Sequence, residues 1–296
     1  MEAILVGGGE GEVVSDRPEH IIRILAEHER LCTTESRYAA GERGPGPHIH
    51  RRHSDCFYVL EGRLWFELAG GAPFTLEAGG LVVIPPEVVH TFRNESPGEA
   101  RFLNLHAPSC GFADYLRGLH AAADEAEERA VAGRFDTFAP PPGGGRPPSE
   151  ALVRRRGEGE RVQIGTSRAW IRAGGDDGAG HVAVLETELA PGFPGPVRHR
   201  HRDMVDSFYP LEGALAITLD GTERQAGPGS YALAPPGTVH TFSNPSDRPV
   251  RFLDVMAPGG FERYLKEVEA AMRPGAAPDP AEMARIASHY DFEPVA

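Results

Sequence analysis

HIHRRHSDCFYVLEG (residues 48–62) returns later in the same chain as HRHRDMVDSFYPLEG (199–213), offset by 151 residues. The likeness does not stop there. GGLVVIPPEVVHTFRN (79–94) matches GSYALAPPGTVHTFSN (229–244) at an offset of 150, and RFLNLHAP (101–108) matches RFLDVMAP (251–258) at the same offset. GFADYL (111–116) then matches GFERYL (260–265), and the leading Gly-Glu-Gly-Glu runs at 9–12 and 157–160 recur as well. A match that keeps its order through most of both halves is an internal duplication, and a repeat fixes the architecture before any single element is assigned.

Between the halves lies Ala139-Pro140-Pro141-Pro142-Gly143-Gly144-Gly145-Arg146-Pro147-Pro148. Proline removes backbone donors and glycine adds chain entropy, so this stretch reads as a linker. The expected organisation is an N-terminal domain over 1–139, a linker over 140–150 and a C-terminal domain over 151–296. In the first half, strand-like runs at 21–26, 33–39, 55–60, 63–68, 81–84, 89–93 and 101–106 alternate with turn signals. Many short strands at this spacing indicate an all-β sandwich or barrel. Glu61-Gly62 and Glu212-Gly213 read as hairpin turns. A helix then closes each repeat, with Phe112, Tyr115, Leu116 and Leu119, and again Phe261, Tyr264, Leu265 and Val268, at helical spacing. These stripes are expected to pack on a barrel surface.

Residues i and i+2 of a strand face the same way. His48 and His50 therefore aim into one space, as do His199 and His201. Asp55 and Asp206 each follow five residues after the second histidine, far enough for a turn and a return on the next strand. His90 and His240 arrive from a later strand, each after a Pro-Pro pair. Three neutral imidazoles and one carboxylate suit one divalent ion per repeat, with Fe, Mn, Ni, Cu and Zn all compatible, and they leave positions for other ligands. Six of the thirteen histidines are used in this way. By the same parity Phe57, Val59 and Phe92, with Phe208, Pro210 and Phe242, share the ligand face as pocket wall or plain core. His53 reads as a solvated turn residue and His106 as a candidate pocket residue. Their counterparts are Met204 and Met256, so a difference between the two sites is expected there.

These segments resemble the two motifs of the cupin superfamily, G-x5-H-x-H-x3/4-E-x6-G and G-x5-P-x-G-x2-H-x3-N. The first falls on His48, His50, Asp55 and Gly62, and on His199, His201, Asp206 and Gly213. The second falls on Gly79, Pro85, His90 and Asn94, and on Gly229, Pro235, Gly237, His240 and Asn244. The resemblance implies two tandem cupin barrels (double-stranded β-helix, jelly-roll) with flanking helices, and within the superfamily the spacing is most similar to quercetin-dioxygenase-like proteins. Three departures stand out. The carboxylate is Asp where the pattern has Glu, so Asp55 and Asp206 are either ligands or hydrogen-bonding bases. Glu87 replaces the motif glycine, so its turn is expected to avoid positive φ. Pro210 stands where the first repeat has Val59, which calls for a sheet edge or a bulge.

The formal net charge of -13 argues against a nucleic-acid or anionic-membrane partner. Cys32, Cys56 and Cys110 are odd in number and show no C-x-x-C spacing, which fits a reducing compartment. The first residues lack a basic and then apolar leader, and no apolar run reaches the roughly 20 residues of a membrane span, so a cytoplasmic location is expected. The expected partner is a small molecule. Two barrels in one chain supply an internal pair, so a monomer suffices and a homo-oligomer is the alternative. The resemblance implies a metal-dependent dioxygenase acting on a flavonol, enol or diketone, with Asp55 and Asp206 as catalytic carboxylates. A non-catalytic metal or small-molecule binder and a metal-assisted isomerase or decarboxylase are the competing readings.

Overall fold

A computed structural model describes residues 2–272 and 279–295. The chain divides into two units. One comprises residues 11–158 and 177–181; the other comprises 1–10, 159–176 and 182–296. They are called here the N-terminal and C-terminal units. Among the described residues no helix is long and apolar enough to cross a membrane.

The N-terminal unit is two antiparallel sheets. The larger runs, in spatial order, Leu152–Arg154, Leu81–Ile84, Ser54–Glu61, Ala100–Ala107, Leu31–Tyr38, His20–His28 and Glu12–Asp16; the smaller runs Phe74–Glu77, Arg63–Leu68 and His90–Arg93. Inner faces of both sheets meet in one core, in which Phe57, Phe66, Phe92 and Phe102 touch ring to ring at centroid separations of 4.7–6.2 Å. Burying each such ring contributes about 1.5–3 kcal/mol. Arg63–Leu68 shows why the smaller sheet has one wet face: its buried residues alternate with exposed or half-buried ones, at the period of two expected for a half-covered strand.

The C-terminal unit repeats the plan. Its larger sheet orders Ile4–Val6, Tyr231–Ala234, Val205–Glu212, Val250–Ala257, Ala183–Leu189, Ser167–Ala173 and Glu160–Ile164; its smaller one orders Thr222–Ala226, Leu215–Leu219, His240–Ser243, His199–Arg200 and Glu293–Pro294. In both units the larger sheet ends on a three-residue strand distant in sequence from its neighbour: Leu152–Arg154 pairs with Leu81–Ile84, and Ile4–Val6 pairs with Tyr231–Ala234. A short terminal strand covers an edge that would otherwise present unpaired N–H and C=O groups. Both units are open two-sheet jelly rolls rather than closed barrels.

Helices at Phe112–Ala121 and Glu262–Ala271 follow the last long strand of each unit, as the periodicity predicts. Phe112 and Leu116 pack against Val14, Ile24 and Cys32, while Phe261 and Leu265 pack against Val162, Ala169 and Ile171.

Three local expectations need correction or refinement. Glu61-Gly62 and Glu212-Gly213 are not hairpin turns. Ser54–Glu61 and Arg63–Leu68 belong to different sheets and do not pair, and the same holds for Val205–Glu212 and Leu215–Leu219. The glycines are corners at which the chain changes sheets, with φ of 70° and 75°, and a Cβ on Gly62 would lie 2.4 Å from the Glu99 carbonyl oxygen. Glu87 does not avoid positive φ; it sits at 70°, beside the 88° of Gly237. That backbone lets the Glu87 N–H donate to the His50 carbonyl at 2.7 Å, as Gly237 does to His201, so the loop carrying the last histidine is tied to the H-x-H segment. Pro210 does sit at a bulge, where the register with Val250–Ala257 shifts.

Candidate metal centres

Each predicted quartet converges. In the N-terminal unit His48 forms a two-way backbone bridge with His90, His50 follows it, and Asp55 enters from the adjacent strand in register with Ile84 and His106. His48, His50, Asp55 and His90 are all buried and offer donor atoms within 4.8 Å of one another; His199, His201, Asp206 and His240 do the same in the C-terminal unit.

The imidazoles are oriented by their other nitrogens. Nδ1 of His48 lies 2.9 Å from the Gly46 carbonyl, Nδ1 of His50 2.6 Å from that of Asp136, and Nδ1 of His90 2.9 Å from that of Val88. In the C-terminal unit the partners of His199, His201 and His240 are the carbonyls of Val197, Asp291 and Thr238. A carbonyl can only accept, so these contacts assign the proton to Nδ1 and leave each Nε2 as a lone pair aimed inward. Backbone contacts of this kind are what hold metal-ligating histidines in place.

The inward lone pairs then face a carboxylate. Asp55 Oδ2 lies 3.2 Å from His90 Nε2 and 3.5 Å from His50 Nε2; Asp206 Oδ2 lies 3.2 Å from His240 Nε2 and 3.7 Å from His201 Nε2. Lone pairs facing an anion at such distances repel unless a cation lies among them. Nε2 of His50 and of His201 are buried and lack hydrogen-bond partners among the described residues. The donor set and its spacing fit one divalent ion with ligand distances of about 2.0–2.2 Å. Burial works against the charge on Asp55, but His106 and contacts with His50 and His90 outweigh it and hold the carboxyl well below its usual range. Asp206 is held low in the same way by His201 and His240.

Around the ligands the two centres diverge. Asn104 donates to Asp55 Oδ1 at 2.5 Å and to the Cys56 carbonyl at 3.2 Å, which fixes the direction of its amide. Its oxygen lies 2.8 Å from His106 Nε2, His106 Nδ1 lies 2.9 Å from His53 Nε2, and His53 Nδ1 lies 2.8 Å from Asp136 Oδ2. Filling all three links takes three N–H protons, one more than two neutral imidazoles carry. His53 is therefore no solvated turn residue: it is 1% exposed and sits inside a chain that begins at Asp55. His106 lines the pocket. In the C-terminal unit Met204 and Met256 replace the two histidines and Asp254 replaces Asn104. Asp254 is pushed well above the ordinary carboxyl range by burial and by Asp206.

Asp136 and Asp291 were not legible as site residues. Each supplies the carbonyl for the second histidine, and each carboxylate caps the turn after H-x-H by accepting backbone N–H groups of residues 51–52 or 202–204. The only sequence signal is their recurrence after the second helix of each half.

A cavity of about 310 Å³ reaches the N-terminal centre, touching His48, His50 and Asp55. Phe92 and Phe102 form part of its wall, joined by Phe112, Tyr115, Leu116 and Leu119 of the closing helix. Parity placed Phe92 correctly, but Phe57 and Val59 are fully buried core behind the wall. At the C-terminal centre Phe292 stacks on His199 at 4.3 Å. The residue after Asp136 is Thr137, which lines the N-terminal cavity, whereas the residue after Asp291 is Phe292. A ring thus covers one centre where a small side chain leaves room at the other.

Burial keeps several of these histidines neutral: it holds His48 well below its ordinary value, and pushes His53 down to about 4 and His199 down to about 3. The unfolded chain takes up these protons near 6.5, while the fold resists until far lower pH. Stability of the metal-free protein should therefore be full above about pH 6.5 and fall as pH drops toward 4, by roughly 1.4 kcal/mol per pH unit for each such histidine. A melting temperature of the chelated protein that stays level from about pH 7.5 to 5 would contradict this assignment.

The cupin domain model matches residues 34–106 and 185–256. The chain is 26% identical over 246 residues to the quercetin 2,3-dioxygenase of Bacillus subtilis (strain 168), covering 74% of this chain and 71% of that protein. Among solved structures it is similar to oxalate decarboxylase from Bacillus subtilis, with a TM-score of 0.57, 17% identity and coverage of 86% and 76% of the two chains. It is also similar to protein Ylba from E. coli, with a TM-score of 0.58, 13% identity and coverage of 86% and 90%. One domain match falls in each unit and takes in the strands that bear its histidines, so the chain belongs to the cupin family, as a bicupin.

Proposed function

We propose that the N-terminal centre is the active site of a metal-dependent dioxygenase acting on a small oxygenated organic molecule of flavonol, enol or diketone type. His48, His50, His90 and Asp55 would hold its divalent ion. His199, His201, His240 and Asp206 would hold a second ion at a centre with less access. The observation that carries this reading is the cavity of about 310 Å³ opening onto His48, His50 and Asp55. Likeness to a quercetin 2,3-dioxygenase supports the choice of chemistry.

A bound divalent ion supplies Lewis acidity and, when redox-active, a place for dioxygen chemistry. The rest falls to the chain. Phe92, Phe102 and Phe112 present apolar wall to a flat ligand and exclude water. The substrate hydroxyl meets Asp55 as its nearest carboxylate. Asn104 holds Oδ1 of that residue, so Oδ2 is the atom left to take the proton. Burial, which opposes the ionised form, makes the neutral carboxyl tolerable once the proton has moved. Asp206 would play the corresponding part if substrate reached the C-terminal centre.

The test is oxygen consumption by chain loaded in turn with Fe(II), Mn(II), Ni(II) and Cu(II), offered flavonols, catechols and 1,3-diketones. Uptake in step with substrate loss is expected for at least one pairing. A fully metallated chain that consumes no oxygen with any of the three classes sinks the proposal and favours a binding protein. Turnover that persists without oxygen would point to an isomerase or decarboxylase.

A further inference from the structure

The cavity at the N-terminal centre has one polar edge. Thr34, Ser36 and Tyr38 alternate along the strand Leu31–Tyr38 and so face one side. That side is the cavity, which all three line. Their exposures are 1%, 4% and 6%, yet none of the three hydroxyls has a hydrogen-bond partner among the described residues. A buried hydroxyl without a partner is costly, and three in a row on one cavity wall are a set of unused donors and acceptors.

The row has a direction. Thr34 is in register with Asn104, the residue that holds Asp55; Ser36 is opposite Phe102, and Tyr38 is opposite Ala100. It therefore starts beside the proposed metal ligands and runs outward for about 13 Å, at the usual rise of a strand. At its far end the His20 ring lies 5.5 Å from the Tyr38 ring and is itself held by Glu42 at 2.9 Å. The walls flanking the row are apolar, with Ile22, Phe92 and Phe102 among them.

The fold does not require these hydroxyls. Sheet register in the C-terminal unit sets Leu185 opposite Asp254, Thr187 opposite Phe252 and Leu189 opposite Val250. Leu185, Thr187 and Leu189 are thus the structural counterparts of Thr34, Ser36 and Tyr38, and two of the three are apolar.

We propose that Thr34, Ser36 and Tyr38 determine specificity for the reaction proposed above, selecting a flat aromatic substrate with several hydroxyls along one edge. This rests on the N-terminal centre being the substrate site. A ligand with the same chelating group but no further hydroxyls leaves the row unpaired and binds less well.

The experiment titrates zinc-loaded full-length chain, without oxygen, with quercetin and with 3-hydroxyflavone. Both probes carry the 3-hydroxy-4-keto chelate, and only quercetin carries ring hydroxyls beyond it. The wild type should prefer quercetin by about tenfold or more, and each of Thr34→Val, Ser36→Ala and Tyr38→Phe should weaken quercetin by roughly three- to tenfold. Binding of 3-hydroxyflavone should stay within about twofold, which also shows that the variants fold and keep their metal. An unchanged preference in all three variants overturns the proposal, as does a wild type that binds neither probe or both alike. If quercetin selectivity follows the hydroxyls yet the chain loaded with redox-active metal consumes no oxygen, the specificity row stands and the dioxygenase reading falls.

Discussion

Replacing His50 with alanine should halve the metal content of the chain, from about two ions to one, and abolish turnover; His201→Ala should halve the metal and leave most of the turnover in place. The two side chains are counterparts. Each has Nδ1 tied to the carbonyl of an aspartate distant in sequence, Asp136 or Asp291, and each has a buried Nε2 without a partner among the described residues. Removing either leaves two imidazoles and a carboxylate in a site whose remaining donors are still oriented for a fourth. The consequences for turnover differ because the cavity differs: substrate can reach His48, His50 and Asp55, whereas Phe292 stacks on His199 at 4.3 Å. A loss of several kcal/mol of transition-state stabilisation at the N-terminal centre corresponds to about a thousandfold or more in rate. Elemental analysis per chain and initial rates of oxygen uptake check both halves. If His201→Ala is the variant that loses turnover, the assignment of the active centre is reversed. If both variants keep two ions, the quartets are not the ligand sets.

The parts legible in the sequence are those that depend on local geometry or on the repeat. Strand parity alone places His48 beside His50 and His199 beside His201, and the duplication lends each quartet the weight of the other. Helical spacing finds Phe112–Ala121 and Glu262–Ala271 within a residue. What escapes is set by which strand lies beside which. Asn104 holds Asp55 only because Ala100–Ala107 pairs with Ser54–Glu61, and no spacing in the chain announces that register. His53 looks like a turn residue because its neighbours are polar; its burial follows from Asp136, 83 residues away, turning inward to accept from it. Glu61-Gly62 has the composition of a hairpin and serves instead as a corner between sheets, since local sequence specifies a tight bend but not what the next strand pairs with. Glu87 shows the same limit in another form. A non-glycine residue accepts a positive φ when the surrounding hydrogen bonds, here to His50 and from Arg146, demand that backbone.

Exchanging Asn104 and Asp254 between the centres tests how much the second layer of side chains controls the first. Asn104→Asp would set a second carboxyl against Asp55 Oδ1, which the amide now approaches to 2.5 Å. Two ionised carboxylates cannot share that space, so one must take up a proton, as Asp254 does under the joint pressure of burial and Asp206. His106 would lose its amide partner at the same stroke. Metal affinity at the N-terminal centre and turnover should fall by about 10- to 100-fold, the usual cost of disturbing a partner of a ligand. The reverse change gives Asp206 Oδ1, which has no hydrogen-bond partner among the described residues, a permanent N–H donor. It also removes a pH-dependent cost. Asp254 has a raised pKa in the fold, so the unfolded chain has already released that proton at neutral pH while the fold retains it. Stability therefore falls as pH rises from about 4 toward the folded value, and Asp254→Asn abolishes that slope. The variant should melt higher than the wild type near neutrality, by an amount worth at least about 1–2 kcal/mol, with a gain that widens between pH 6 and 8. An Asp254→Asn protein that melts at or below the wild type across that range would show that the carboxyl pair is relieved by some other means. An Asn104→Asp protein with unchanged metal affinity and rate would show that Asp55 does not depend on its amide partner.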